Sequence, residues 1–390
     1  MAANPVIQPS SEFRETFFSR GGETAARCYQ CATCSSVCEL APAEAPFPRQ
    51  QMLWAQWGLV DRLVGDPGVW LCYQCNDCSV RCPRDVAPGD VMAVARGMVV
   101  ERLATPSFLG KLVGNIKKTW PLLVLGPIIF WLILLGATTG LHIPGVDGNL
   151  PALEGRFHYE HFVPHSLIYI VYFSAVALVC FALAVSGFKF WKMLGDRQPR
   201  AGSFIGAMIG VVVAIAFHTK FSSCDRGVLK RRWGHFLVMW GFIGAAITSG
   251  FAVVYLYKDT VFFSWLNLSY TYPMPITHWV KWLGNISAAA LVVGGILLFV
   301  NRLKTGDKLV GATTPFDRFF LWVVLAVIGT GVFTELFRFM AAPPVLGCSI
   351  YVIHLGVVLC LFLTLPYSKF AHIVYRTLAM AHERMSTSNN

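Results

Sequence analysis

The sequence predicts an all-α protein in two parts: a small helical domain (residues 1–110) and a bundle of six membrane-spanning helices (residues 111–390). Three observations lead to this fold class. Two cysteine runs share one spacing within the first hundred residues. Long apolar stretches are confined to the chain after residue 119, and histidines recur within or beside those stretches.

Each cysteine run has the pattern C-x2-C-x2-C-x3-C, and Pro83 follows the second run. Eight thiolates at this spacing suit two [4Fe–4S] clusters, because three cysteines of a run bind one cluster and the fourth reaches the other. The spacing therefore predicts two ligand sets. One set is Cys28, Cys31, Cys34 and Cys82, and the other is Cys72, Cys75, Cys78 and Cys38.

Zinc sites and disulfides are the alternatives for these cysteines. Zinc needs only four ligands at each site, commonly from two separated CxxC pairs, and does not need a third cysteine three residues on. Disulfides need an oxidising compartment, whereas residues 1–27 are polar and lack the apolar core of a secretory signal. The pattern favours iron–sulfur clusters, which transfer single electrons.

Helices are predicted to space the two cysteine loops. Apolar residues recur at near-helical intervals between Phe47 and Val64. This connection is too long for the hairpin of a small β-type ferredoxin and suits a helical ferredoxin domain. A further helix is predicted from Pro88 through Val91 to Leu103.

Membrane insertion is predicted from composition. The chain has 390 residues and only 14% charged residues, and its mean hydropathy is +0.55. A span needs roughly 20 apolar residues to cross about 30 Å of hydrocarbon. Six stretches are that long: about 120–139, 164–188, 235–256, 276–300, 318–340 and 347–368.

The net charge of +11 has the distribution of a membrane protein and excludes a nucleic-acid-binding role. Basic residues gather in segments 189–233 and 301–318, while the loops on the opposite side are nearly free of them. The positive-inside rule then places the N-terminal domain and the C-terminus in the cytoplasm, so the inner membrane is the predicted location.

One apolar segment is too short to be a span. Residues 204–217 are flanked by basic residues on both sides, so crossing the membrane would leave one basic flank outside. We expect an interfacial or re-entrant helix over 203–217, with a seventh span as the alternative.

Two histidines near the C-terminus have the spacing of a haem pair. His354 and His372 are 18 residues apart, which on one continuous helix is five turns and about 27 Å. Two b-type haems need imidazoles near opposite faces of the bilayer. His235 begins the third span at the depth of His372, so the inner haem is predicted to bind His235 and His372.

The second ligand of the outer haem remains open between two histidines. His165 and His278 both lie at the outer ends of spans, at the level expected for the partner of His354. His278 is slightly favoured, because its helix also carries Lys281 and Asn285, which are costly in lipid without a function.

Four polar residues are candidates for a quinone pocket. Lys281 and Asn285 lie on the fourth span, and Glu335 and Arg338 on the fifth. The alternatives are snorkelling of Lys281 toward the interface and a structural ion pair between Glu335 and Arg338.

Both halves of the chain resemble known redox proteins. CYQCATCSSVC and CYQCNDCSVRCP resemble the C subunit of heterodisulfide reductases. IHLGVVLCLFLTLPYSKFAH resembles the last haem-carrying helix of respiratory nitrate reductase gamma subunits and of the E subunit of membrane heterodisulfide reductases, which implies that His354 and His372 are ligands. RRWGHFLVMWGF resembles the gamma subunit's other haem helix and carries His235, while that family's second histidine is replaced here by Ala245.

The combination is similar to the C subunit of the quinone-interacting membrane-bound oxidoreductases of sulfate reducers. That resemblance implies exchange of electrons between menaquinol and soluble flavin and iron–sulfur partners resembling the A subunit of heterodisulfide reductases, which pass them to adenylylsulfate reductase. The chain has no G-x-G-x-x-G after a predicted strand, so a flavin is expected on another polypeptide.

Two other functions remain as alternatives. The chain can serve a heterodisulfide or thiol reductase module as its cytochrome b and iron–sulfur component. It can also be a transporter or membrane receptor whose cysteine domain binds zinc for folding.

Overall fold

The computed structural model describes residues 8–143, 159, 162–196, 202–224, 229–266, 268–269, 274–303, 311, 314–340 and 342–387. All regular secondary structure in these residues is helical, which confirms the predicted all-α fold. Parts of the basic loops that the charge pattern used, at 197–201, 225–228 and 304–310, lie outside the described residues.

The N-terminal domain is built from short helices around one long one. Two short helices occupy the predicted connection between the cysteine runs, because the chain turns at Gly58, whose φ is +67°. The predicted helix after the second run is confirmed. The helices are α1 (Ser11–Phe17), α2 (Thr33–Ser36), α3 (Arg49–Gln56), α4 (Val60–Val64), α5 (Gly68–Leu71), α6 (Asp77–Val80), α7 (Pro88–Leu103) and α8 (Ser107–Gly114).

Six helices are long and apolar enough to cross a membrane, as predicted. Their bounds differ by a few residues from the predicted spans, and the second span continues furthest beyond its predicted end. The spans are α9 (Ile116–Thr139), α10 (His165–Gly195), α12 (Leu229–Leu256), α13 (Trp279–Leu303), α14 (Pro315–Phe339) and α15 (Pro344–Thr364).

The short apolar segment forms helix α11 (Phe204–Ala216), which begins at the capping hydroxyl of Ser203. Its 13 residues extend about 20 Å, less than the hydrocarbon thickness of about 30 Å. An interfacial position for α11 stays a prediction.

The sixth span does not continue to His372, so the expectation of one continuous helix is wrong. Helix α15 ends at Thr364 and two short 3-10 turns follow before α16 (His372–Thr387) begins. Pro366 lacks a backbone N–H, and Ser368 is extended with φ −105° and ψ −170°. His354 and His372 therefore lie on different helices, and the distance of about 27 Å along one helix does not apply.

Helix α16 joins the two parts of the protein. Its Tyr375 is fully buried and stacks on Trp70 of the N-terminal domain, with ring centroids 4.8 Å apart. Phe190 of α10 packs edge-on against the same tyrosine at 5.3 Å. The apolar core of the N-terminal domain is thus continuous with the ends of the membrane helices. We call this end of the bundle the cluster-side face, and the other end the far face.

The packing order of the spans determines which histidines can lie close together. Helix α13 packs on α12 and α14, whereas α15 packs on α14, α9 and α10. The α12–α13 contact is close, because a Cβ built on Gly294 meets the Gly234 carbonyl oxygen at 2.8 Å. Helix α14 therefore lies between α13 and α15.

Candidate functional site

The two cysteine loops repeat one backbone conformation. The second and fourth residues after the first cysteine have positive φ in both loops: Gln30 and Ala32 at 58° and 68°, Gln74 and Asn76 at 53° and 64°. This conformation directs a backbone N–H at sulfur, since the N–H groups of Gln30 and Gln74 donate to the first cysteine's Sγ at 3.4 and 3.3 Å. Such N–H groups stabilise thiolates of iron–sulfur sites.

The cysteines surround two cavities, each with three from one run and the fourth from the other. This is the grouping that the spacing predicts for two clusters. The proximal cavity, so named because α12 and α16 donate hydrogen bonds to the cysteine loop that lines it, is lined by Cys38, Cys72, Cys75 and Cys78. The distal cavity is lined by Cys28, Cys31, Cys34 and Cys82.

The donor set at each cavity fits a [4Fe–4S] cluster, which takes four cysteine thiolates. Four cysteines line each cavity. Burial raises the pKa of both Cys34 and Cys38 to about 11. Thiolates at these positions therefore need a compensating cation, which the iron of a cluster supplies.

Two arginines of the membrane domain hold the second cysteine loop through its main chain. Arg376 donates to the carbonyl oxygens of Trp70 and Cys72 at 2.9 and 2.7 Å. Arg231 donates to the carbonyl oxygens of the next two residues, at 2.8 and 2.7 Å. Hydrogen bonds from charged donors contribute about 1.5–3 kcal/mol each, so these four fix the proximal cavity on the cluster-side face.

The same two helices carry the predicted histidine pair. Arg231 lies four residues before His235 on α12, and Arg376 lies four residues after His372 on α16, one helical turn in each case. The imidazole rings of His235 and His372 have centroids 6.0 Å apart. The proximal cavity and the histidine pair are therefore held by two common helices.

The hydrogen bonding of His372 leaves one of its ring nitrogens available to bind a metal. Nδ1 of His372 bonds to the carbonyl oxygen of Lys369, so its Nε2 is available for a metal, the arrangement usual for ligating histidines. Burial lowers the pKa of His372 to about 4, which keeps the ring neutral. The ring separation accommodates one metal ion, since an imidazole nitrogen binds metals at about 2 Å.

A third histidine at this site was missed in the sequence. Nε2 of His218 lies 2.7 Å from Nδ1 of His235, and the side chain of His218 is only 3% exposed. Burial lowers the pKa of His218, so a neutral ring can accept the His235 N–H. His218 follows α11 in a left-handed conformation with φ 52°, and no spacing in the sequence relates it to the other two histidines.

His354 lies deeper in the bundle and also has one ring nitrogen engaged. Its position ten residues into α15 is about 15 Å from the far end of that helix. Thr330 Oγ1 donates to the carbonyl oxygen of Ala326 at 2.6 Å and lies 2.9 Å from Nδ1 of His354. Because the threonine proton is used, Nδ1 of His354 donates to the hydroxyl, and Nε2 is left for a ligand.

The structure does not bring either candidate partner to His354. His278 caps α13, where its Nδ1 accepts from the Val280 N–H at 3.3 Å, and α14 separates that helix from α15. His165 begins α10 at the far face and stacks on Tyr169. Neither ring contacts His354 in the described residues, so the second ligand there stays open between the two.

A polar cluster joins α13 and α14 near the far face. Lys281 Nζ lies 3.8 Å from a carboxylate oxygen of Glu335. Asn285, with its amide nitrogen toward the same carboxylate, donates at 3.1 and 3.3 Å. Glu335 therefore pairs with Lys281 on the neighbouring helix. The expected partner was Arg338, which lies three residues further along the helix of Glu335 itself.

Comparisons with known proteins divide the chain in the same way. Residues 24–86 match the 4Fe-4S dicluster domain family. Similar proteins include the C subunit of the H(2):CoB-CoM heterodisulfide,ferredoxin reductase of Methanothermobacter thermautotrophicus, 38% identical over 85 residues, and a protein of Archaeoglobus profundus that is like the C subunit of heterodisulfide reductase, 38% identical over 88 residues. These matches cover 22% of this chain and 46% and 47% of those relatives.

A second family is matched over most of the chain. The citrate utilization protein B of Escherichia coli is 27% identical over 368 residues, which cover 90% of this chain and 88% of that relative. No solved structure is significantly similar. The family comparisons support iron–sulfur clusters and a membrane-associated electron-transfer role. Since residues 121–389 match the Citrate utilization protein B family model, the chain belongs to that family.

Proposed function

We propose that the protein is a membrane electron-transfer subunit that connects the quinone pool, through haem b and two [4Fe–4S] clusters, to soluble flavin and iron–sulfur partners. The clusters and haems supply one-electron transfer when bound. The protein's own residues hold them in series. A complete activity then needs the partner subunits, since no flavin-binding motif is present in this chain.

One observation carries this proposal. The helices that present His235 and His372 also present the arginines that hold the proximal cysteine loop. Between the two sites, Phe221 packs on Tyr73 at 4.8 Å and on His235 at 5.4 Å. A redox centre at the histidine pair is thus the neighbour of the proximal cavity.

The proposal includes a quinone site and an orientation. The Lys281–Asn285–Glu335 cluster at the far face offers a carboxylate that can carry a quinol proton, and menaquinone is the proposed substrate. The basic loops support an inner membrane location with the cluster-side face in the cytoplasm. A second haem at His354, with His165 or His278 as its other ligand, is proposed with it.

Glu335→Gln is expected to slow oxidation of a menaquinol analogue by about 10²-fold, because the amide cannot accept the substrate proton. Rates of haem reduction by the analogue, in membranes of equal haem content, test this. Asp259→Asn is the matched control, since Asp259 pairs with Lys258 on an exposed turn after α12. Equal rates in the two variants would remove Glu335 from the quinone site.

His218→Phe is expected to weaken haem binding at the His235–His372 pair by about 10–100-fold, the usual effect of losing an outer hydrogen-bond partner of a ligand. Haem titration into the apoprotein measures this. His218→Gln keeps an acceptor and should restore most of the affinity. Phe221→Leu changes only ring packing in the same place, so an equal loss there would assign the effect to packing.

Three identities for the soluble partner are proposed. The fused iron–sulfur and haem-type motifs favour proteins resembling the A subunit of heterodisulfide reductases that feed adenylylsulfate reductase. The match to a citrate utilization protein over 90% of the chain favours instead a soluble partner that takes part in citrate utilization. A heterodisulfide reductase module is the third possibility, and the proteins that co-purify with the chain distinguish the three.

The proposed function is tested on protein purified without oxygen. We expect a broad brown absorbance, reduced b-haem bands, and about eight iron atoms beyond the haem iron for each chain. A menaquinol analogue should reduce the haem. A colourless preparation that contains zinc would contradict the proposal and support a zinc-bearing transporter or receptor.

A further inference from the structure

The two cysteine cavities differ in what covers them. The proximal cavity is held against α12 and α16 by Arg231 and Arg376. At the distal cavity Cys31 is exposed, and Tyr29 has 70% of its surface in solvent. A soluble partner therefore reaches the distal cavity directly, whereas the cysteine loop of the proximal cavity is bonded to the membrane helices.

The cavities also differ in the charge of their linings. The ionised side chains that line the distal cavity are Arg49 and Arg84, and both are exposed. The corresponding side chains of the proximal cavity are Glu39 and Asp77. The opposite signs mean that one of the two openings attracts anionic surfaces and the other repels them.

The distal residues form a continuous patch. The guanidinium of Arg84 lies 4.0 Å from the centroid of the Tyr29 ring, so the cation and the exposed aromatic group are held together. Arg27 is also exposed nearby, where it pairs with Asp85 at 3.8 Å. We define the distal patch as Tyr29, Cys31, Arg49 and Arg84.

We propose that the distal patch is the docking surface for an acidic face of the soluble redox partner. This inference rests on the proposed function and adds the surface chemistry and the point of contact. Exposed tyrosine and arginine are the residues enriched where protein partners bind. The positive charge speeds encounter with an acidic protein and orients it toward the distal cavity. One electron passes at each encounter, with no bond made or broken: in the proposed function this chain loses it and the oxidised partner gains it, and the test below drives the reverse transfer from a reduced partner.

The test uses the intact, cofactor-loaded protein in lipid nanodiscs and two electron donors. One is an acidic flavodoxin reduced by light, and the other is the small cation of reduced methyl viologen. We expect the Arg49→Glu/Arg84→Glu double variant to be reduced by flavodoxin at least about 10-fold more slowly at low salt. The wild-type rate should fall as salt rises, and the variant's rate should change little. Reduction by methyl viologen should be undiminished in the variant, which shows that its clusters are intact.

A matched control carries the same charge change elsewhere. Arg62 and Lys111 are exposed on α4 and α8 and line neither cavity, so Arg62→Glu/Lys111→Glu should keep the wild-type flavodoxin rate. The inference is overturned if the distal variant matches wild type, if the control is slowed equally, or if flavodoxin fails where methyl viologen succeeds. Failure of both donors to reduce the wild-type protein would overturn the proposed function itself.

Discussion

His372→Ala is expected to remove one haem and to leave the other haem and both clusters. His235 and His372, with ring centroids 6.0 Å apart, are the two ligands proposed for one haem, and they lie on α12 and α16. Loss of either imidazole leaves a single axial ligand. We expect haem content to fall from about two to about one for each chain, with iron and sulfide in the clusters unchanged. A pyridine haemochromogen assay and iron analysis measure both quantities.

Double variants make this result specific. His235→Ala combined with His372→Ala should lose no more haem than either change alone, because both residues serve one site. His354→Ala combined with His372→Ala should lose both haems. His142→Ala is the control, since His142 is exposed at the end of α9. Full haem content in His372→Ala would show that the pair is not the ligand set.

Cys78→Ala is expected to abolish the proximal cluster and to disconnect the haems from the N-terminal domain. About half of the cluster iron and sulfide should be lost. A quinol analogue should still reduce haem, but the remaining cluster should stay oxidised. Cys34→Ala removes the distal cluster instead, so haem should still exchange electrons with the proximal cluster. Low-temperature electron paramagnetic resonance during quinol reduction distinguishes the two patterns.

The fourth cysteine of each run lines the cavity of the other run, which gives a further comparison. Cys38→Ala should reproduce Cys78→Ala, and Cys82→Ala should reproduce Cys34→Ala, because each lines the same cavity as its counterpart. Cys180→Ala is the control, since Cys180 is exposed on α10. If Cys38→Ala instead behaves like Cys34→Ala, the ligands are not exchanged between the runs.

Local patterns were predictable from the sequence because each depends on residues near one another in the chain. The cysteines that line each cavity are those that the spacing groups together, and their binding to a cluster stays a prediction. Apolar stretches of sufficient length predicted the six spans. Helix bounds were less certain, since polar ends such as Arg231 on α12 extend beyond the apolar core of a span.

Contacts between distant segments were not predictable in the same way. His218 meets His235 only because α11 returns the chain to the start of α12. Glu335 pairs with Lys281 on another helix, although Arg338 is closer in sequence. The separation of His354 from His372 was misjudged because a single proline and an extended serine end the helix between them.

Arg231 and Arg376 donate four hydrogen bonds to peptide oxygens of the second cysteine loop, and Arg376 also lies over the Tyr73 ring, 4.2 Å from its centroid. Substitution of Tyr73 or Gln74 therefore leaves these four contacts possible, whereas an inserted or deleted residue shifts every oxygen out of reach. The loop can vary in composition during evolution but not in length. Any rotation of α12 or α16 that displaces an imidazole also pulls on this loop, so the histidine pair and the lining of the proximal cavity move together.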